Sequence, residues 1–360
     1  MKRRELLAAG AAAALTGCAG EQADCGPGTF GERFNWKLVT TWPPNFPGLG
    51  TGVNRMVEMI ERASGGRLRI KVYAAGELVP PFEVFDTVRS GTAEMGHGSA
   101  YYWKGKTEAA QFFTAIPFGM TAMELNGWFY NGGGLELYRE LYEPFGLFPF
   151  PAGNTGVQMG GWFNREINSI DDLQGLKMRI PGLGGEVLRR AGGTPVNLPG
   201  AEIFTALQTG SIDATEWIGP YNDVAFGLNK AARYYYYPGW QEPGPALECI
   251  VNREAFDSLP EDLQAVIEIA CSATNDQMTA EFVARNAQSL AQLREKGETE
   301  IRSFPPEVLD ELRVLTDEVI EELAAGDPEV AKVYASFSEY RAMAEDWSNL
   351  SERAMLNTRG

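Results

Sequence analysis

Residues 157–191, VQMGGWFNREINSIDDLQGLKMRIPGLGGEVLRRA, decide the fold class. Residues 157–163 are strand-like, 169–175 form a short capped turn of helix beginning at Ser169, 176–180 are a second strand and 186–191 a helix. Downstream, 201–209 is helical, and 212–218 and 234–237 are strands. Upstream, residues 34–42 (FNWKLVTTW) are a strand, and 52–63 carry Val53, Met56, Val57 and Ile60 at helical spacing before a Gly65-Gly66 stop. Residues 68–73 are a strand, 81–89 a helix with Phe82, Phe85 and Val88 inward, and 95–101 a third strand. Strand and helix in alternation argue for a mainly parallel sheet covered by helices. The pattern restarts at 157, so the chain reads as two α/β units joined by extended crossings. Pockets in such a bilobed layout sit between the lobes, near the C-terminal ends of strands.

The tail differs. Ser258-Leu259-Pro260-Glu261 fits a capping box for a long helix over 259–296. Residues 305–325 are a further helix, and the chain from 327 is largely helical. These helices buttress both lobes or pack against a second chain.

Composition narrows the function. A net charge of −17 argues against nucleic acid, which is bound by neutralising phosphates, and against an electrostatic membrane-surface binder. The chain has 1 histidine, His97, so a catalytic zinc held by two or three histidines is excluded and a Ser-His-Asp triad would have to be built on that residue. Its setting, Met-Gly-His-Gly, reads as structural. Gly182-Leu183-Gly184-Gly185 is not a dinucleotide fingerprint, because position 187 is Val.

The N-terminus reads as an export signal over 1–17. Lys2, Arg3 and Arg4 precede an Ala/Leu run over 6–15, too short to span a bilayer. Leu15-Thr16-Gly17-Cys18 is similar to a bacterial lipobox, which makes Cys18 the expected lipidation site; a plain signal peptide cleaved a few residues later is the competing reading. Residues 18–33 are a small, polar tether. Cys25, Cys249 and Cys271 allow at most one intrachain disulfide, and the last two read as buried apolar residues.

Several residues suit a binding site. On the strand Lys177-Met178-Arg179, Met178 faces the core and Arg179 shares the other face with Lys177. An arginine at a strand end over a cleft is a carboxylate clamp, because its planar fork makes two parallel hydrogen bonds; the competing reading is a surface arginine paired with an acid. Glu216 can ligate a hard cation, Trp217 can wall a pocket, and Gln158 offers a neutral amide oxygen. Oxygen-only ligation suits Na⁺, Ca²⁺ or Mg²⁺; the competing reading is an acid at a strand end in an acidic protein. Tyr101-Tyr102-Trp103 and Tyr234 to Tyr237 with Trp240 are core by default, although tyrosine hydroxyls over a cleft can bond an organic acid.

Four blocks in order carry a resemblance over nearly the whole chain from Phe34: AAGELVPPFEVFDTVRSGTAEMGHGSAYYW (74–103), NTGVQMGGWFNREINSIDDLQGLKMRIPG (154–182), ALQTGSIDATEWIGPYND (206–223) and YYYYPGW (234–240). Together they resemble the solute-binding subunits of tripartite ATP-independent periplasmic (TRAP) transporters, with the second and third blocks similar to the branch that binds 2-oxoacids with a cation. The resemblance implies an α/β, bilobed fold of the periplasmic-binding-protein type, with two α/β lobes, a hinge and a long C-terminal helical region. The lobes fall at 34–152, completed by part of 243–275, and at 153–242, with C-terminal helices over 259–360. It implies that Arg179 clamps the ligand carboxylate, that Gln158, Glu216 and the Trp217 carbonyl hold a cation shared with the ligand, and that Tyr101 and Tyr102 line the cleft. It also implies a periplasmic receptor that hands a pyruvate-like monocarboxylate to a membrane permease, touches the membrane only through a lipid anchor, and forms a homodimer through its C-terminal helices. Arg179, Glu216, a monocarboxylate and Na⁺ sum to zero formal charge, whereas Ca²⁺ requires another acid, so Na⁺ is expected over Ca²⁺. Longer 2-oxoacids and lactate-like hydroxyacids remain open as ligands. So do a sensor role and, as a distant rival, a metal-assisted lyase built on Glu216.

Overall fold

The computed structural model describes residues 31–359; the export signal, Cys18, Cys25 and most of the tether lie outside the described residues. Two sheets divide the strands. The first has the order β2-β1-β3-β10-β4, with β1 Phe34–Thr40, β2 Leu68–Tyr73, β3 Met95–Gly98, β4 Leu147–Asn154 and β10 Ala246–Asn252. The second has the order β11-β9-β5-β8-β6-β7, with β5 Gly161–Phe163, β6 Lys177–Arg179, β7 Thr194–Val196, β8 Ala214–Thr215, β9 Tyr234–Tyr237 and β11 Glu300–Ser303.

The strand–helix units pair in parallel as expected: β1 with β2 and β3, β6 with β7 and β8. The sheets are nevertheless mixed. β10 runs antiparallel to β3 and β4, and β5 antiparallel to β8 and β9. The cause is topological, because β4 leaves the first sheet for β5 and β9 returns to it through β10. The two crossings, 155–160 and 238–245, lie side by side. Gln158 N donates to Glu242 O (3.2 Å), Gly239 N to Gln158 O (2.9 Å) and Asn154 Nδ2 to Gly244 O (2.9 Å).

Those bonds also shorten an expected strand. Residues 157–160 give their hydrogen bonds to the other crossing, to Ile218 and to Tyr236, so β5 begins only at Gly161, whose φ is +121°. Gln158 therefore stands on a crossing and not on a strand. Likewise β3 stops at Gly98 and the chain coils into a 3₁₀ turn, Ala100–Trp103, while β8 ends one residue before Glu216. The helix expected from 186 starts at Gly182.

The helix Glu261–Lys296 has 36 residues, about 54 Å at 1.5 Å per residue, and buries Leu263, Ile267, Cys271, Met278 and Phe282 in a core shared with both sheets. Its expected capping box is not formed. Ser258 closes the short helix Arg253–Asp257 and donates to Ala255 O (2.7 Å), while Pro260 precedes the first turn of the long helix. Cys249 and Cys271 are free and buried. No described helix is long and apolar enough to cross a membrane.

Candidate functional site

Pairing of β6 with β8 sets Arg179 opposite Thr215, and Glu216 N donates to Arg179 O (3.1 Å). The register brings the two side chains together as neighbours in one sheet, not from facing walls. Arg179 is 1 % exposed and Glu216 0 %, and Arg179 Nη1 donates to Glu216 Oε1. Arg179 further donates to Leu198 O through Nε (3.2 Å), to Glu216 O (3.4 Å) and, through Nη2, to Tyr102 Oη (3.3 Å). Its guanidinium lies over the Trp217 ring at 5.1 Å, a cation–π arrangement. Most of the fork is thus engaged by protein, leaving the Nη2 side, beside Tyr102, for an incoming anion.

Burial pushes the Glu216 carboxyl up to about 7, reinforced by Asp223 and opposed by Arg179. Burial pulls the Arg179 guanidinium down, yet Glu216, the two tyrosines and Glu242 outweigh it and hold the group charged. A buried pair of this kind is a poor source of stability, since desolving two ions costs about what their attraction returns. Its presence fits a site better than a strut.

The opposite wall comes from the first sheet. The turn after β3 presents Tyr101 and Tyr102, whose rings meet edge-on at 4.8 Å. Trp42, just beyond β1, packs edge-on against Trp217 at 6.4 Å. Tyr101, Tyr102, Trp42, Gln158, Trp217 and Glu242 line a narrow cleft. Arg179 and Glu216 stand directly behind this lining, touching Tyr102 and Trp217.

The crossings complete the site. Gln158 Oε1, Glu216 Oε2 and Glu242 Oε2 are all buried without a hydrogen-bond partner. Gln158 Nε2 is fixed by Thr155 Oγ1 (3.1 Å), which leaves its carbonyl end for another partner. Burial raises the Glu242 carboxyl well above the usual range, Glu216 raises it further, and hydrogen bonds from Gln158 and Tyr101 pull it back. Buried, unpartnered oxygens are rare in native proteins. Two of them line the cleft and the third stands behind it, an oxygen donor set of the kind hard cations take. Among the described residues no group of three or more His, Cys, Asp or Glu converges.

Sequence reasoning missed Glu242, Asp223 and Trp42. Glu242 lies two residues past the YYYYPGW block, in a Pro/Gly-rich loop that pattern alone reads as a connection. Asp223 falls at the end of a quoted block but positions the site from beneath. Its carboxylate accepts Ile218 N (3.2 Å), Gly219 N (3.1 Å), Trp162 Nε1 (2.9 Å) and Tyr235 Oη (2.7 Å), and so pins the backbone after Trp217. His97 accepts from Trp42 Nε1 at Nδ1 (2.8 Å) and faces Ala152 O through Nε2 (3.0 Å); burial lowers its pKa to about 4, so the ring is neutral with both nitrogens engaged.

The chain is similar over most of its length to known proteins. Residues 38–327 match the family described as bacterial extracellular solute-binding protein, family 7, DctP. A monocarboxylate 2-oxoacid-binding periplasmic protein of Nostoc is 41% identical over 364 residues, covering 99% of this chain and 98% of the relative. A TRAP periplasmic solute-binding protein from Colwellia psychrerythraea, solved with calcium and pyruvate, has a TM-score of 0.89 and 44% identity over 91% of this chain and 100% of its own. Another from Pseudoalteromonas atlantica, solved with sodium and pyruvate, has a TM-score of 0.89 and 45% identity over 91% of this chain and 99% of its own. The chain therefore belongs to the DctP family of TRAP-type solute-binding proteins, receptors of periplasmic transport.

Proposed function

We propose that this protein is not an enzyme but a periplasmic receptor that binds a small 2-oxoacid monocarboxylate of pyruvate type together with a hard cation and delivers it to a membrane permease. One observation carries the reading: the buried Arg179–Glu216 pair stands behind a narrow cleft lined by Gln158 and Glu242, and each of Gln158, Glu216 and Glu242 has an unpartnered buried oxygen. The oxygens of Gln158, Glu216 and Glu242, with the Trp217 carbonyl, hold the cation. The cation supplies positive charge that lets a carboxylate and a neighbouring 2-oxo oxygen enter a dry cleft. Arg179 Nη2 and the Tyr102 hydroxyl take the carboxylate, and the Tyr101 ring and Trp42 exclude water. Such a site stabilises a bound anion with its acids occupied: Glu216 Oε1 by Arg179, the free oxygens of Glu216 and Glu242 by the cation, while both nitrogens of His97 are engaged elsewhere. Relatives of nearly equal likeness hold calcium in one case and sodium in another, so the fold alone does not dictate the ion.

Two further elements belong to the proposal. Cys18 anchors the chain as a lipoprotein, and the C-terminal helices Pro328–Leu350 and Glu352–Thr358 form a homodimer. Trp347 is 70% and Leu350 74% exposed, which is unusual for large apolar side chains on adjacent turns. The deciding experiment is a thermal-shift titration of the metal-stripped protein with pyruvate, in Na⁺ and separately in Ca²⁺, for the wild type and Arg179→Ala. A cation-dependent upward Tm shift that the variant loses supports the reading; an equal shift in the variant removes Arg179 from the site.

A further inference from the structure

Resting on that reading of the cleft, the geometry points to Glu242 as the residue that sets the charge of the bound cation. Its side chain is 3 % exposed, it lines the cleft beside Gln158 and Trp217, and its Oε2 has no partner. The balance that favours Na⁺ counts a single buried acid, Glu216, against Arg179. The structure places a second acid in the same cleft. With both acids ionised by the bound cation, Arg179, Glu216, Glu242 and a monocarboxylate guest sum to a formal −2, which a divalent ion cancels and a monovalent ion leaves at −1. An uncompensated charge in a dry cleft is costly, so the protein's own charges select the ion. Gln158 contributes an oxygen to either ion and no charge, so the choice falls to Glu242. Its position reinforces this. Main-chain bonds Gln158 N to Glu242 O (3.2 Å) and Gly239 N to Gln158 O (2.9 Å) clamp the two crossings together, so both side chains keep fixed places at the edge of the cleft. Glu242 thus adapts the site to a Ca²⁺-like cation, and removing its charge while keeping its shape converts the site to a Na⁺-like one.

The test is a pair of titrations on the full-length metal-stripped protein. Pyruvate affinity is measured calorimetrically in CaCl₂ and in NaCl at matched ionic strength, for the wild type, Glu242→Gln and Glu242→Asp. The wild type is expected to bind pyruvate at least tenfold more tightly with Ca²⁺ than with Na⁺. Glu242→Gln should lower that ratio at least tenfold, and Glu242→Asp, which keeps the charge, should preserve the preference. A wild type that prefers Na⁺, or a Glu242→Gln protein with an unchanged ratio, overturns the assignment. Terbium, a calcium stand-in excited through Trp42 and Trp217, is titrated without any carboxylate. Terbium binding that depends on Glu242 in a protein indifferent to pyruvate upholds the cation assignment and refutes the 2-oxoacid reading; terbium binding unaffected by Glu242→Gln refutes the assignment itself.

Discussion

Replacing Arg179 by Met separates the structural from the binding role of the buried pair. The substitution keeps much of the side-chain volume but removes the Arg179 donor from Glu216 Oε1, Leu198 O and Tyr102 Oη, while Glu216 O keeps its bond from Thr215 Oγ1. Glu216, 0 % exposed, is left as an uncompensated buried acid. Breaking one partner of a buried ion pair costs about 3–5 kcal/mol, whereas replacing both by apolar or neutral groups is often neutral or stabilising. Arg179→Met should therefore lower unfolding free energy by about 3–5 kcal/mol, and Arg179→Met/Glu216→Gln should regain most of it. Urea unfolding of the four proteins gives the cycle, with coupling expected above about 2 kcal/mol. Binding separates from stability in the double variant. At pyruvate a hundredfold above Kd the wild type gains about 2.7 kcal/mol by mass action, and the double variant should gain nothing measurable despite its recovered fold. A single variant destabilised by less than about 1 kcal/mol would show that the pair is hydrated and worth little, and the buried-clamp reasoning would be refuted.

Other consequences are checked more simply. Glu248 accepts from Trp103 Nε1, Tyr138 Oη and Tyr142 Oη inside the first sheet's core, and burial pushes its carboxyl up to about 7 despite these bonds. Its folded pKa lies above the unfolded value, so its contribution is complete below about pH 4.5 and is lost as pH rises through about 7; a gap of about 2.5 units makes the loss about 3 kcal/mol. Glu248→Gln should flatten the fall of Tm between pH 5 and 8 relative to wild type, and a parallel profile would exclude this linkage. Trp347→Ser combined with Leu350→Glu should convert a dimer to a monomer in analytical ultracentrifugation; a mass unchanged by the pair places the contact elsewhere. Cys18→Ala should move the protein from the membrane fraction to the soluble periplasm, and unchanged partitioning would rule out lipidation at that residue.

What the sequence made legible is what local periodicity controls. The spacing of Val53, Met56, Val57 and Ile60 marks a helix because those side chains must share one buried face, and all four are buried in Leu49–Ala63. Arg179 was legible only in part: alternation turns it away from the face of Met178, but a surface arginine paired with an acid fits that spacing equally, and its clamp role came from the resemblance. Long-range competition was not legible. Residues 157–160 have strand-like character, but their hydrogen bonds go to partners on the returning crossing, to Ile218 and to Tyr236. No window on the sequence contains both sides of that exchange. Ser258-Leu259-Pro260-Glu261 fits a capping box by spacing, yet the helix ahead of it claims Ser258 as its terminator. Glu242 was missed because an acid in a Pro/Gly loop looks solvated until the loop is seen folded against Gln158.

The distribution of site residues explains why binding and closure should be one event. Arg179 lies on β6 of the second sheet and Glu216 and Trp217 just follow its β8, Trp42, Tyr101 and Tyr102 follow strands of the first sheet, and Gln158 and Glu242 lie on the crossings between them. A ligand touching only one sheet would bind equally well whether the walls were together or apart, and would shift nothing. Here the Arg179 Nη2 bond to Tyr102 Oη already spans the two sheets, and so does the Asn222 Nδ2 bond to Pro47 O (2.9 Å). An anion placed between Arg179 and Tyr102 gains partners on both sides only when the walls meet. A cation held by Gln158 and Glu242 ties that gain to the segments about which the walls must turn. On the proposed reading, the differential affinity required for closure comes from guest contacts to both walls, and the crossing residues link those contacts to the bound cation.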